Sequence, residues 1–261
     1  MFETDDGPIN WVGLKTLYLK EVHRFSKVLT QTVVAPMVMT LLFLAIFNLA
    51  LGRGGQLVGG VAFSLFLAPG LIMMGITQNA FANTSSSILI SKIQGNIVDV
   101  LMPPLSAGEL MVAYVSAGVT RGLIVAVAVG LVMLPFVPLT IHNGFAVVYF
   151  AAMASLMMAL IGLITGLWAD KFDHLAAVTN FVVTPLSFLS GTFYSVERLP
   201  EFGQWVAFAN PFFYVIDGFR FGFIGHSDSS VALGAAVILG VDAALWLVAH
   251  GLIRRGYKLK T

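Results

Sequence analysis

Polar and apolar positions along the chain separate into long uniform runs, not short alternations. Apolar stretches of roughly twenty residues, the length that crosses a bilayer core as helix, cover 33–51, 61–82, 110–134, 145–168, 175–193 and 231–253. Period-two alternation in segments of about ten residues, the mark of a membrane β-barrel, does not occur. The pattern predicts an all-α integral membrane protein with six transmembrane helices. Ahead of the first run, Trp11, Leu14, Tyr18, Val22, Phe25 and Leu29 recur at steps of three and four, with Lys15, Lys20, Glu21, Arg24 and Lys27 between them. This predicts an amphipathic interfacial helix within residues 1–32, its charged residues toward water and its stripe on the inner headgroup layer. Packing of that stripe on another subunit is the alternative.

Between the fifth and sixth runs, segment 194–229 holds two apolar pieces, 202–209 and 211–224, broken at Asn210-Pro211. Each is too short to span, and irregular backbone at membrane depth needs protein or water around it. A re-entrant helical hairpin before the last span is therefore expected, with two helices lying flat on the outer surface as the alternative. Phe188, Phe193, Tyr194, Phe212, Phe213 and Tyr214 gather around this hairpin and the outer end of the fifth span. They suit an outer gate against water and ions, or equally an interfacial aromatic belt with hairpin packing.

Segment 93–110 is the polar exception. Asn96 is placed to cap a short helix with Asp99 in its first turn, and Pro103-Pro104 ends it. Ser106-Ala107-Gly108-Glu109 is a capping-box pattern that opens the third span. Ile97 and Leu101 share one face of the short helix and form an exposed apolar edge. A stiff helix of this kind suits docking; an ordinary tight loop fits the same spacing.

Composition agrees with a membrane setting. Of 261 residues, 58% are hydrophobic and 10% charged, against about 25% charged in a soluble domain, too little to coat a water-soluble globule. Lys and Arg set the orientation. With both termini cytoplasmic, Lys15, Lys20, Arg24, Lys27, Lys92, Lys171, Arg254, Arg255, Lys258 and Lys260 lie inside, while Arg53, Arg198 and Arg220 lie outside. Segment 93–110 and the basic tail 254–261 then face the cytoplasm. An acidic start (Glu3, Asp5, Asp6) without an early apolar run predicts no cleavable signal.

Little of this suits catalysis. Zero cysteines exclude disulfides, thiol chemistry and Cys-based metal sites. The glycine-rich stretch 52–60 lacks the lysine of a phosphate-cradling loop. His23, His142, His174, His226 and His250 are scattered without a His-x-x-x-His pair, so no metal site is expected. No catalytic residue and no cofactor site are expected, and a net charge of +1 carries no nucleic-acid footprint. Arg121 and Asp242 are ionisable residues inside spans and need partners or water. Each lies twelve residues from the inner end of its helix, marked by Glu109 and Arg254, or about 18 Å. Equal depth predicts an interhelical ion pair; a polar point in a substrate path is the alternative.

The run LMPPLSAGEL at 101–110 with the preceding GNIVDV, TPLSFLSGTFYS at 184–195 and NPFFYVIDGFRFGF at 210–223, in a six-span layout, resembles the membrane subunits of type-2 ABC exporters. The resemblance covers nearly the whole chain. It implies that 94–102 is a coupling helix, with Gln94, Gly95, Asn96, Ile97, Asp99, Leu101 and Met102 docking in a cleft of a separate ATP-binding subunit. It implies two copies of that partner, which carries the ATP and Mg, and a second copy of this chain as a homodimer. The setting would be membrane lipids of the inner (plasma) membrane, with no nucleic acid partner. The cargo would be hydrophobic or amphipathic (a lipid, glycan carrier or drug), moved out of the cytoplasm or inner leaflet. Many relatives have Gly-Thr-x-Glu where this chain has Gly95-Asn96-Ile97-Val98-Asp99, keeping the carboxylate in shorter form. An ion-coupled secondary transporter or channel is the competing class, but it needs several intramembrane carboxylates or histidines, and Asp242 and His250 are a thin supply.

Overall fold

The computed structural model describes residues 9–51, 57, 58 and 60–259. The acidic start, most of the glycine-rich stretch 52–60 with Arg53, and Lys260 lie outside the described residues. Asn10 opens α1 (Trp11–Ser26), its Oδ1 accepting from Gly13 N at 2.9 Å. A π-helical segment, Thr30–Val34, runs into α2 (Ala35–Leu51). A short antiparallel pair, β1 (Leu57–Val58) and β2 (Val61–Ala62), leads to α3 (Phe63–Ile93). Then follow α4 (Ile97–Leu101), α5 (Ala107–Met133), α6 (Gly144–Trp168) and α7 (Phe172–Val178), and a second π segment, Thr179–Val183, joins α7 to α8 (Thr184–Leu189). Beyond a 3-10 turn, Val196–Arg198, come α9 (Glu201–Ala209), α10 (Pro211–Ile224) and α11 (Val231–Arg254). Among the described residues, six helical stretches are long and apolar enough to cross a membrane: Thr30–Phe47, α3, α5, α6, Phe172–Leu189 and α11.

The second span outruns its apolar stretch by about three turns, ending at Ile93 instead of near Ala82. The polar residues that follow do not stop the helix, because their short side chains are satisfied inside the protein. Ser85 and Ser86 donate to the carbonyls of Phe81 and Ala82, and Thr84 donates across to Ala159 O at 2.8 Å. α3 is accordingly the centre of the bundle: 78% of its most apolar membrane-length stretch is buried, against 17% in each of the first, fifth and sixth spans. Two Gly-x-x-x-Gly pairs, Gly118/Gly122 in α5 and Gly162/Gly166 in α6, let backbones approach closely. A Cβ on Gly162 would stand 2.5 Å from Phe81 O, and one on Gly166 2.9 Å from Ser85 O.

The amphipathic helix α1 is present, but its burial differs from the expected stripe. Leu17 and Phe25 are buried while Trp11 and Val12 are exposed. Glu21 and Arg24, expected on the wet face, instead face α3. Glu21 pairs with Arg24 at 3.0 Å and accepts from Ser87 Oγ at 2.7 Å, and Arg24 donates to Asn83 O at 2.8 Å. The helix therefore packs on its own chain, held by the polar residues that extend α3.

Candidate functional site

A sharp turn at Gly95, whose φ of +73° belongs to the left-handed region, projects α4 from the end of α3. Asn96 does not cap this helix with its side chain, and its Nδ2 donates instead to Gln94 Oε1 at 3.1 Å. Ile97 and Val100 face inward and Leu101 is partly buried, joining Leu17, Leu105, Ile253 and Leu259 in a small apolar core. Ile97 and Leu101 thus anchor the helix and are not its exposed edge. The exposed edge lies on the opposite side, where positions four apart stack: Val98 is 56% and Met102 75% exposed. Gln94, Asn96, Asp99, Pro103 and Pro104 are exposed beside them.

The base under α4 is rigid. The capping box forms as expected, with Glu109 N donating to Ser106 Oγ at 3.2 Å and Ser106 N to Glu109 Oε2 at 2.7 Å. Glu109 also accepts from the backbone N of Asn10, and Asn10 Nδ2 donates to Pro104 O at 3.3 Å. The α4–α5 turn is thereby tied to the start of α1. Lys92 Nζ donates to Leu167 O and Ala169 O, both at 2.7 Å, closing the end of α6 with a cation as the helix dipole favours. Lys258 reaches Asp170 at 2.6 Å and Trp168 O at 2.9 Å, fastening the C-terminal tail to the same corner. This ammonium holds the exposed Asp170 carboxyl below the usual carboxylate range.

The expected Arg121–Asp242 ion pair does not form. Arg121 Nη2 donates to Asn79 Oδ1 at 3.0 Å, on the α3 side of α5. Asp242 is buried, and neither of its oxygens has a hydrogen-bond partner among the described residues. It shares a helical face with Ala235 and Ile238, and Tyr149 Oη donates to Ala235 O at 3.0 Å, so that face meets α6. Spacing along the two helices did not fix the direction in which each side chain points around its axis.

The six aromatics divide into two groups. The Phe193 ring stacks on Phe47 at 4.8 Å and lies 6.0 Å from Phe43 and 5.4 Å from Phe188. Phe212 and Phe213 are buried, Phe213 against Phe208 and Tyr214, each at 5.2 Å. Tyr214 Oη donates to Phe208 O at 3.0 Å, so these residues join α9 to α10. Tyr194 packs with Val196 and Phe213 in the same small cluster.

Residues 13–224 match the family model described as ABC-2 type transporter. The chain belongs to the ABC-2 type transporter family. It is a membrane permease subunit of an ABC transporter. Over 252 residues, 96% of this chain and 98% of the relative, it is 38% identical to the inner membrane transport permease YadH of Escherichia coli K12. It is also similar to nodulation protein J of Neorhizobium galegae, at 23% identity over 95% of this chain and 94% of that protein. Nodulation protein J of Rhizobium leguminosarum bv. viciae is 24% identical, with 95% of each chain covered.

Sequence reasoning missed three features of this permease. Arg220, counted among the charges of the outer side, is buried, donating to Gly191 O at 2.6 Å and Phe66 O at 3.2 Å with its guanidinium 3.8 Å above the Phe66 ring. Asp217, one turn before it, accepts from the backbone N of Asp228 and Ser229. His226, without a histidine partner in local spacing, meets Glu197 and Asp228 through the fold. The charged residues inside the apolar run 211–224 were the available signal for the first two.

Proposed function

We propose that this permease works as a homodimer in the inner membrane, with both termini cytoplasmic, and exports a hydrophobic or amphipathic compound when separate ATP-binding subunits dock on α4. The observation that carries this reading is α4 itself: a five-residue helix with Val98 and Met102 exposed, on a base tied to α1, α5, α6 and the tail. Exposed apolar side chains on a fixed peg suit a protein cleft. Movement of α4 passes through Pro104 and Glu109 to α1 and α5, and through Gly95 to the central helix α3. The Escherichia coli relative YadH is an inner membrane transport permease, and Lys and Arg concentrate at the α4 end, which supports a cytoplasmic placement.

A dimer is supported by the first and fifth spans, which bury little within one chain. Val38, Leu42, Phe181 and Val182 are exposed there, Phe181 at 81%. Phe43, Phe47, Phe188 and Phe193 join these two spans, and we assign the outward gate to them. The buried Phe212 and Phe213 are left to hairpin packing. A re-entrant position for α9 and α10 is supported by the close union of α10 with α3 through Arg220 and Phe66.

Two results test the reading. Purified alone and free of other ATPases, the folded chain is expected neither to bind nor to hydrolyse ATP, with turnover appearing only when an ATP-binding subunit is added. Nucleotide binding by the isolated chain contradicts the division of labour. Phe193→Ala removes a stacked ring from between two spans, and transport is expected to fall or become leaky while ATPase association stays unchanged. Normal transport and ion tightness in that variant assign the ring to packing instead.

A further inference from the structure

At the end of the bundle away from α4, three side chains from two separate turns converge. Glu197 comes from the 3-10 turn after the fifth span; His226 and Asp228 come from the turn between α10 and α11. One donor atom from each lies within 4.8 Å of the other two. Asp228 is the informative member. Its side chain is only 2% exposed, and its Oδ2 is fixed by Val196 N at 2.7 Å and Ser195 Oγ at 2.9 Å, both donating to it. Oδ1 faces His226 Nε2 at 3.5 Å. A buried carboxylate held by one oxygen, with the other aimed at an imidazole and a second carboxylate, has the form of a metal ligand oriented by outer hydrogen bonds.

We propose that Glu197, His226 and Asp228 bind one divalent transition-metal ion of the Zn2+ class, which clamps the outer end of the fifth span to the α10–α11 turn. The donor set decides the class. One imidazole and two carboxylates fit Zn2+, which takes three such ligands and keeps a fourth position for water. Ca2+ takes six to eight oxygens and Mg2+ a near-ideal octahedron of oxygens, which three residues with a nitrogen donor do not supply. Zinc bonds of about 2.0–2.2 Å hold donors closer together than the present spread, so the ion draws the carboxylate of Glu197 inward. That movement is open to it, because Glu197 is exposed while Asp228 is fixed. The site faces solvent through Glu197 and the half-exposed His226, so it loads without unfolding. Ser195 and Val196 lie directly after the Phe193-Tyr194 segment, and an ion here restrains the backbone beside the aromatic cluster.

The test is calorimetric titration of the full chain, purified through a histidine-free tag and stripped with chelator, with Zn2+ and separately with Mg2+ and Ca2+. One equivalent of Zn2+ is expected to bind, with neither Mg2+ nor Ca2+ competing at equal concentration. His226→Ala and Glu197→Gln, both at exposed or half-exposed positions that leave folding intact, are expected to weaken Zn2+ at least a hundredfold. Ser195→Ala, which removes only an outer hydrogen bond, is expected to weaken it about tenfold. Absence of stoichiometric Zn2+ binding by the folded chain overturns the proposal, as does equal Zn2+ affinity in the His226 and Glu197 variants.

Discussion

Val98→Asp combined with Met102→Asp is expected to lower affinity for the ATP-binding subunit by about a hundredfold or more, with the yield of folded permease unchanged. Burying an apolar side chain of this size contributes about 1.5–3 kcal/mol, and two of them exceed the roughly 2.7 kcal/mol that a hundredfold change in affinity requires. Replacing both with carboxylates also puts charge where the cleft expects hydrocarbon. Both side chains are mostly exposed on the permease, at 56% and 75%, so the chain loses little packing of its own. Asp99→Lys, which reverses the charge on this face, is expected to act in the same direction but more weakly. Co-purification with the ATPase and substrate-stimulated turnover measure the effect. Full assembly and turnover in the double variant would remove α4 from the coupling pathway.

Gly162→Leu is expected to prevent accumulation of folded permease altogether. A Cβ at this position stands 2.3 Å from Thr84 Oγ1 and 2.5 Å from Phe81 O. The carbonyl belongs to the backbone of the central helix and cannot rotate away. Overpacking a well-filled interior costs about 1–3 kcal/mol even where side chains can adjust, and here α3 and α6 must separate along their contact. Such a separation also breaks the Thr84–Ala159 hydrogen bond. It is the opening of that backbone contact, beyond the side-chain adjustment alone, that is expected to exceed a total stability of about 5–15 kcal/mol. Gly240→Leu is the matched control, since nothing lies within 4 Å of a Cβ at Gly240, and its monodisperse yield and thermal midpoint in detergent are expected to match the parent. Equal behaviour of the two variants would contradict the close α3–α6 contact.

Apolar run length located all six spans, because a bilayer fixes the length of helix it accepts. The capping box at Ser106 and Glu109 was legible because both partners lie in one local motif. What was not legible depends on rotation about helix axes and on contacts between distant segments. Arg121 turns to Asn79 and Asp242 lies on the face of α11 that meets α6. Ile97 and Leu101 were assigned to the open edge of α4 because a short helix offers two apolar faces, and only the tail and α1 decide which is covered. The Gly-x-x-x-Gly pairs of α5 and α6 were present in the sequence as an unused signal for the central contact with α3. The Glu197–His226–Asp228 cluster has no local signal, since its members lie on turns separated by two helices.

The absence of cysteine in the chain makes the central claim directly measurable. A single cysteine at Met102, carrying a photoactivated cross-linker in native membranes, is expected to join the permease to an ATP-binding subunit, whereas the same probe at Ile141, in the α5–α6 loop, is not. Adducts with an ATPase from position 102 alone are the result this account requires. An ATPase captured equally from both positions, or from neither while transport remains ATP-driven, would contradict it.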